Sequence, residues 1–279
     1  MSDKRVLIVG AGDLGMRAAS LLLTQGAEVW ALRRRPATAQ HARLHSLQAD
    51  LGDPHTLRAM PAGITHVVWS PAPDRRDPRA YEAVFTLGLQ HVLAALDTTA
   101  LRRLVFVSSS AVYGEHGSDW VDEDTPPAPP GFNGRILLEA EQWLANQKLP
   151  AVALRLAGLY GPGRTQLFDR LRAGQARAPS DPPHWANRMQ VDDAASAIVH
   201  LLDLPGALPV YIGCDDTPLP LHELYGYLAE LLGAPAPAAG SAPAGVGSKR
   251  LSNARLKSSG FVPRWPDARA GYAALAGQA

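Results

Sequence analysis

The chain has 279 residues, enough for one large α/β domain with a smaller appendage, and its 46% apolar and 19% charged content excludes a mainly disordered or fibrous protein. A formal net charge of +1, with no basic run beyond Arg33-Arg34-Arg35, gives no basis for a nucleic-acid-binding surface, so a small-molecule partner is expected. A single cysteine, Cys214, rules out an internal disulfide or a thiolate metal cluster and fits a reducing compartment.

No apolar run reaches membrane-spanning length and no leader-like pattern precedes Val6, so the expectation is a cytoplasmic protein that does not span a membrane. Apolar, β-branched runs at Val6–Val9, Glu28–Leu32, Thr65–Trp69, Leu104–Ser108, Ala151–Leu156 and Val210–Ile212 predict buried strands of a parallel sheet. Helical-period segments lie between them, the pattern of a doubly wound α/β fold. After the first run, Leu14, Ala18, Leu21 and Leu22 share a helical face and Gly26 is placed to stop the helix.

The turn between that first strand and helix reads Gly10-Ala11-Gly12-Asp13-Leu14-Gly15. A GxGxxG in this position has a physical logic: Gly10 allows the tight turn, Gly12 lets backbone approach a pyrophosphate, and Gly15 lets the helix pack closely. The free N–H groups at the helix start add an anion site, which Asp13 and Leu14 border. An NAD-preferring site carries Asp or Glu about 20 residues further on, to accept from the ribose 2′-hydroxyl. Here that place holds Arg33, followed by Arg34. Two arginines there pair with a 2′-phosphate, so NADP(H) is expected over NAD(H), the competing reading being a solvated basic loop.

Further along, His41 and His45 have i, i+4 spacing but no third ligand at a recognisable distance, which predicts an exposed helix face and no metal. Thr125–Gly131 is Pro-rich and reads as a surface loop. Asp192 and Asp193 are placed to cap a helix. Gly233–Ser248 is nearly all Ala, Gly, Pro and Ser, and a mobile segment is expected there.

With Ser108-Ser109-Ser110-Ala111-Val112-Tyr113-Gly114, the stretches Ala49–Asp53, Leu154–Arg164 and Val191-Asp192-Asp193 and the tail Lys249–Leu256 added to the glycine turn, the chain resembles the extended short-chain dehydrogenase/reductase superfamily, in its NAD-dependent epimerase/dehydratase branch. The resemblance implies an NAD(P)-binding Rossmann domain over residues 1–158, with 188–213 returning to it, and a small carboxy-terminal substrate lobe from 159–187 and 214–279. It places Asp50 and Leu51 at the adenine, Ser70 and Pro71 beside the diphosphate-ribose portion, and Leu156 to Gly158 along the nicotinamide. It selects Ser109, with Ser110 as fallback, as the hydroxyl that holds a substrate oxygen. A homodimer is common among such proteins.

One departure is sharp. The family's Tyr and, four residues on, its Lys fall on Asn133 and Leu137 when Glu141 is aligned with the family's helix Glu. No Tyr occurs between Gly114 and Leu159, and the one Lys there is Lys148. Small bacterial members lacking the pair have a segment like Asn133–Glu141. Tyr113 and Tyr160 are then open to two readings, a replacement acid or a packing anchor. Arg155 and Arg164 are candidates for an anionic or sugar substrate, Arg155 equally for an internal ion pair. The expected activity is an NADP-dependent oxidoreductase or epimerase acting on a small polar substrate; the alternative is a catalytically silent NADP(H) sensor.

Overall fold

The computed structural model describes residues 3–35, 41–243 and 245–277. It contains a seven-stranded sheet of β1 (Arg5–Val9), β2 (Glu28–Arg33), β3 (Leu44–Gln48), β4 (His66–Trp69), β5 (Arg103–Ser109), β6 (Ala151–Leu156) and β7 (Val210–Gly213). Their spatial order is β7-β6-β5-β4-β1-β2-β3. The β1–β2, β2–β3, β1–β4 and β4–β5 pairs are all parallel. Val6, Leu7, Ile8 and Val9 are wholly inaccessible, as a strand covered on both faces requires. From β1 the chain runs outward through β2 and β3, then returns to β4 on the other side. That reversal is the topological switch point at which α/β sheets bind ligands. It sets the loop after β1, at Gly10, beside the loop after β4, at Ser70.

Helix α1 (Asp13–Thr24) buries Leu14, Gly15, Ala18, Ala19 and Leu22, the expected face with Leu21 at its margin. Gly26, at φ +80°, ends it in the left-handed conformation that glycine adopts without strain. The expected helix around His41 and His45 is not formed. His45 lies on β3, its ring stacked on Trp30 at 4.9 Å and its Nε2 3.0 Å from a Glu28 carboxylate oxygen. Pairing with β2 outweighs the local spacing, and among the described residues no group of three or more His, Cys, Asp or Glu is placed to hold a metal.

The chain divides into two compact units, Met1–Ser109 with Phe132–Leu154 and Ala195–Val210, and Ser110–Gly131 with Arg155–Ala194 and Tyr211–Ala279. Strands β1 to β5 and helix α2 (Phe132–Asn146) lie in the first, while β6 and β7 pass from the first into the second. Unlike the expected division, this one gives 110–131, 155–158, 188–194 and 211–213 to the second unit. That unit has its own core, in which Tyr160, Phe168, Leu171, Leu224, Leu228 and Tyr272 are buried together. Its short strands pair locally: Gly158–Tyr160 with Arg188–Gln190, and Trp120–Val121 with Arg250–Leu251.

Two local expectations change in the second unit. The amides of Asp192 and Asp193, at the start of α3 (Val191–Asp203), donate to the Gln190 side chain. The Asp193 carboxylate instead accepts from the backbone N–H groups of Arg264 and Trp265 at 2.9 and 2.8 Å, fastening the tail. The segment from Gly233 to Ser248 also has anchors that its composition concealed. Ala238–Ala239 pairs with Arg177–Ala178, and the Ser248 N–H donates to Glu115 at 2.7 Å. A Cβ on Gly247 would meet Gly114 O at 2.3 Å, so the absence of a side chain is what admits this contact.

Candidate functional site

The glycine turn is built from three close approaches in the first unit. Gly10 has φ +80°, and a Cβ there would lie 2.2 Å from Pro71 Cα. The Gly10 and Ala11 N–H groups both donate to Leu32 O, tying the turn to the end of β2. At Gly15 a Cβ would fall 2.8 Å from Gly10 O and 3.0 Å from Ser70 Oγ, and Ser70 Oγ itself donates to Gly10 O at 3.2 Å. Gly12 differs: it is exposed, its φ is −84°, and the nearest atom to a Cβ there is Gly10 O at 4.0 Å. The space over Gly12 is therefore open where the other two glycines are packed. Gly12 offers α1 no side-chain cap. An exposed helix start above an open glycine fits a diphosphate, which both the N–H donors and the helix dipole favour.

Beside this turn lies a groove of about 470 Å³ lined by Gly12, Asp13, Met16, Arg17, Ser20 and Arg33. Arg33 reaches it from the end of β2. Arg34 does not line it; its guanidinium makes a two-point ion pair with Asp74, which holds the Asp74 carboxyl below its usual range. Leu14 is buried in the helix face. Of the residues expected at the adenine, Asp50 is exposed, its Oδ1 accepting from the Gly52 N–H at 2.9 Å. Leu51 packs on Gly88, and its carbonyl lies 2.8 Å from His91 Nδ1.

Ser109 ends β5 and Ser110 opens the 3₁₀ turn Ser110–Val112; both are half-buried. Their neighbour Ser108 is buried and donates to the buried Glu141 carboxylate on α2, which occupies it internally. On the same helix Asn133 is half-buried and Leu137 is 4% exposed. An apolar, buried side chain thus stands where the resemblance places an ammonium.

In the second unit both candidate tyrosines are buried. Tyr113 is wholly buried; its hydroxyl accepts from Arg155 Nη1 at 2.7 Å, with the guanidinium 5.0 Å from the ring centroid. Arg155 is itself buried, with the Tyr113 hydroxyl as an internal partner. Tyr160 stacks on Tyr272 at 4.2 Å with its hydroxyl against Gly271, and burial pushes its phenol up, further from use as an acid. Leu156 is buried and Gly158 exposed. Arg164 is half-buried in a turn closed by its N–H to Gly161 O at 3.0 Å.

Two buried ionisable groups were not legible as candidates. Lys249 Nζ donates to Gly247 O at 2.9 Å and lies 3.5 Å from Gly114 O; burial lowers its pKa to about 8. Asp215 has one carboxylate oxygen without a hydrogen-bond partner, and burial raises its pKa to about 8. Neither sits in a motif, and burial, the cause of both shifts, is a property of the folded chain.

The sequence profile of the NAD-dependent epimerase/dehydratase family matches residues 6–211. The chain belongs to that family. It is 32% identical over 277 residues to Protein YeeZ of Escherichia coli strain K12, covering 95% of this chain and 97% of that one. Among solved structures it is similar to one assigned to the NAD-dependent epimerase/dehydratases from Methylobacillus flagellatus, with 36% identity, TM-score 0.83 and 99% of each chain covered. The fold is shared by the UDP-glucose 4-epimerase of Thermus thermophilus, solved with NAD, at TM-score 0.81 and 24% identity over 99% of each chain. Among the described residues no helix is long and apolar enough to cross a membrane.

Proposed function

We propose that the chain binds NADP(H) in preference to NAD(H) and acts as an oxidoreductase or epimerase/dehydratase-like enzyme on a small polar, sugar-related substrate. What supports the cofactor choice is Arg33, which lines the groove at the glycine turn where an acidic residue would repel a 2′-phosphate. Bound there, the cofactor supplies the redox chemistry; Gly10, Gly12 and Gly15 shape its diphosphate site, and Ser109 orients the substrate oxygen. With Asn133 and Leu137 in place of the usual pair, the proton is moved by water or by another acid. The buried Cys214 suits a reducing, cytoplasmic setting.

A second reading, a catalytically silent NADP(H)-binding sensor, is favoured by one observation: Tyr113, the nearest phenol in the chain after Ser109, is wholly buried on Arg155. Titration of the purified protein with NADPH and NADH, followed by turnover assays on alcohols, aldehydes and nucleotide sugars, separates the readings. NADPH preference with turnover supports the enzyme, NADPH preference without turnover supports the sensor, and equal affinities remove the NADP assignment.

A further inference from the structure

Helix α1 has two faces. Leu14, Ala18 and Leu22 are buried, while Asp13, Met16, Arg17 and Ser20 line the groove; their i, i+3, i+4, i+7 spacing puts all four on one stripe. By sequence, Arg33 and Arg34, neighbours at one strand end, are the basic side of the site. The structure turns Arg34 away to Asp74 and brings Arg17 to the groove in its place. Arg17 Nε donates to Asp13 Oδ1 at 2.8 Å, so the guanidinium is oriented by its own helix before any ligand arrives.

From this geometry we infer that Arg17, with Ser20 beside it, is a specificity-determining residue for the cofactor, gripping the 2′-phosphate from α1 while Arg33 grips it from the end of β2. This rests on the NADP reading above. The groove wall carries Arg17 and Arg33 against one carboxylate, Asp13, and so has a net positive charge before binding. A phosphate monoester brings about −1.5 to −2 charges and three acceptor oxygens, matching two guanidinium forks and a hydroxyl. NADH offers a neutral hydroxyl at that place, so Arg17 discriminates between the cofactors.

The test is fluorescence titration of wild type and Arg17→Ala with NADPH and NADH, with 2′-AMP and 5′-AMP as competitors. Expected is a loss of NADPH affinity of about 10- to 100-fold in the variant, NADH affinity nearly unchanged, and loss of the advantage of 2′-AMP over 5′-AMP. Arg17→Met, which keeps the aliphatic stem, carries the same expectation should the alanine variant fold poorly. A wild type that prefers NADPH with a variant that keeps the preference overturns the role of Arg17 and leaves the NADP reading standing. A variant weakened equally toward both cofactors overturns it too. A wild type without preference overturns the NADP reading itself, and this inference with it.

Discussion

Arg155 donates to the Tyr113 hydroxyl at 2.7 Å, and both side chains are buried. The pair spans 42 positions of sequence, and neither member is recognisable beforehand as the other's partner. Removing the hydroxyl takes an acceptor from a buried guanidinium, a change that costs the desolvation of the group left behind. Tyr113→Phe is therefore expected to lower stability by about 1–3 kcal/mol in urea unfolding. Unchanged stability together with abolished turnover would instead identify Tyr113 as an acid.

Leu137 is buried at the position where the resemblance expects an ammonium, so the ordinary Ser-Tyr-Lys route has neither its phenol nor its cation. Alcohol oxidation with NADP(H) is expected at least about 10²- to 10⁴-fold below common rates, the contribution of a positioned acid/base. Steady-state assays on a panel of simple alcohols check this. Turnover of about 1–10³ s⁻¹ would mean that another group fully replaces the pair.

Gly10 and Gly12 are separated by two positions and predicted to fail differently. Gly10→Ala places a Cβ 2.2 Å from Pro71 Cα at φ +80°, and a destabilisation of more than about 2 kcal/mol is expected. Gly12→Ala meets open space, so thermal unfolding should change little while cofactor affinity falls at least about tenfold, the methyl standing where the diphosphate approaches. Thermal denaturation paired with cofactor titration distinguishes them. Loss of stability in both would show that Gly12 is structural.

Asp215 has a folded pKa raised by burial from 3.8 to about 8. Below pH 3.8 both states hold the proton; between 3.8 and about 8 the unfolded chain releases it and the folded chain retains it. This group's stabilising contribution is therefore full at low pH and is lost as pH rises toward 8, with a slope of at most about 1.4 kcal/mol per pH unit. Asp215→Asn should flatten that decline in urea unfolding measured from pH 4 to pH 8. An identical pH dependence in the variant would place the raised group elsewhere.

The Ser248 amide donates to Glu115, and the Ala238 and Gly240 amides donate to Ala176 O and Ala178 O. Hydrogen exchange across Gly233–Ser248 is expected to be fast except at these three amides and at those of Gly233, Ala234 and Val246, which donate to Glu230 O, Ala229 O and Pro243 O, with slowing elsewhere when substrate binds. Uniform protection without ligand would contradict a mobile segment.

The sequence by itself determined the α/β class, six of the seven sheet strands and the first helix, because these follow from local quantities. Val6–Val9 is apolar at every position, Leu14, Ala18 and Leu22 recur at helical period, and the glycines of the turn permit backbone that other residues resist. β3 escaped because Leu44–Gln48 is an edge strand with no apolar alternation and mostly polar residues, one of which, His45, finds its partners Glu28 and Trp30 on β2.

Partnership was left to the tertiary structure. That Arg34 pairs with Asp74 while Arg17 faces the groove, that Asp193 fastens the tail at Arg264 and Trp265, and that Lys249 lies at Gly114 from 135 residues away are set by which charged groups folding brings within hydrogen-bond range. Charge interactions decay over distance in space and are indifferent to distance along the chain. A basic residue's type is therefore written in the sequence, and its partner only in the fold.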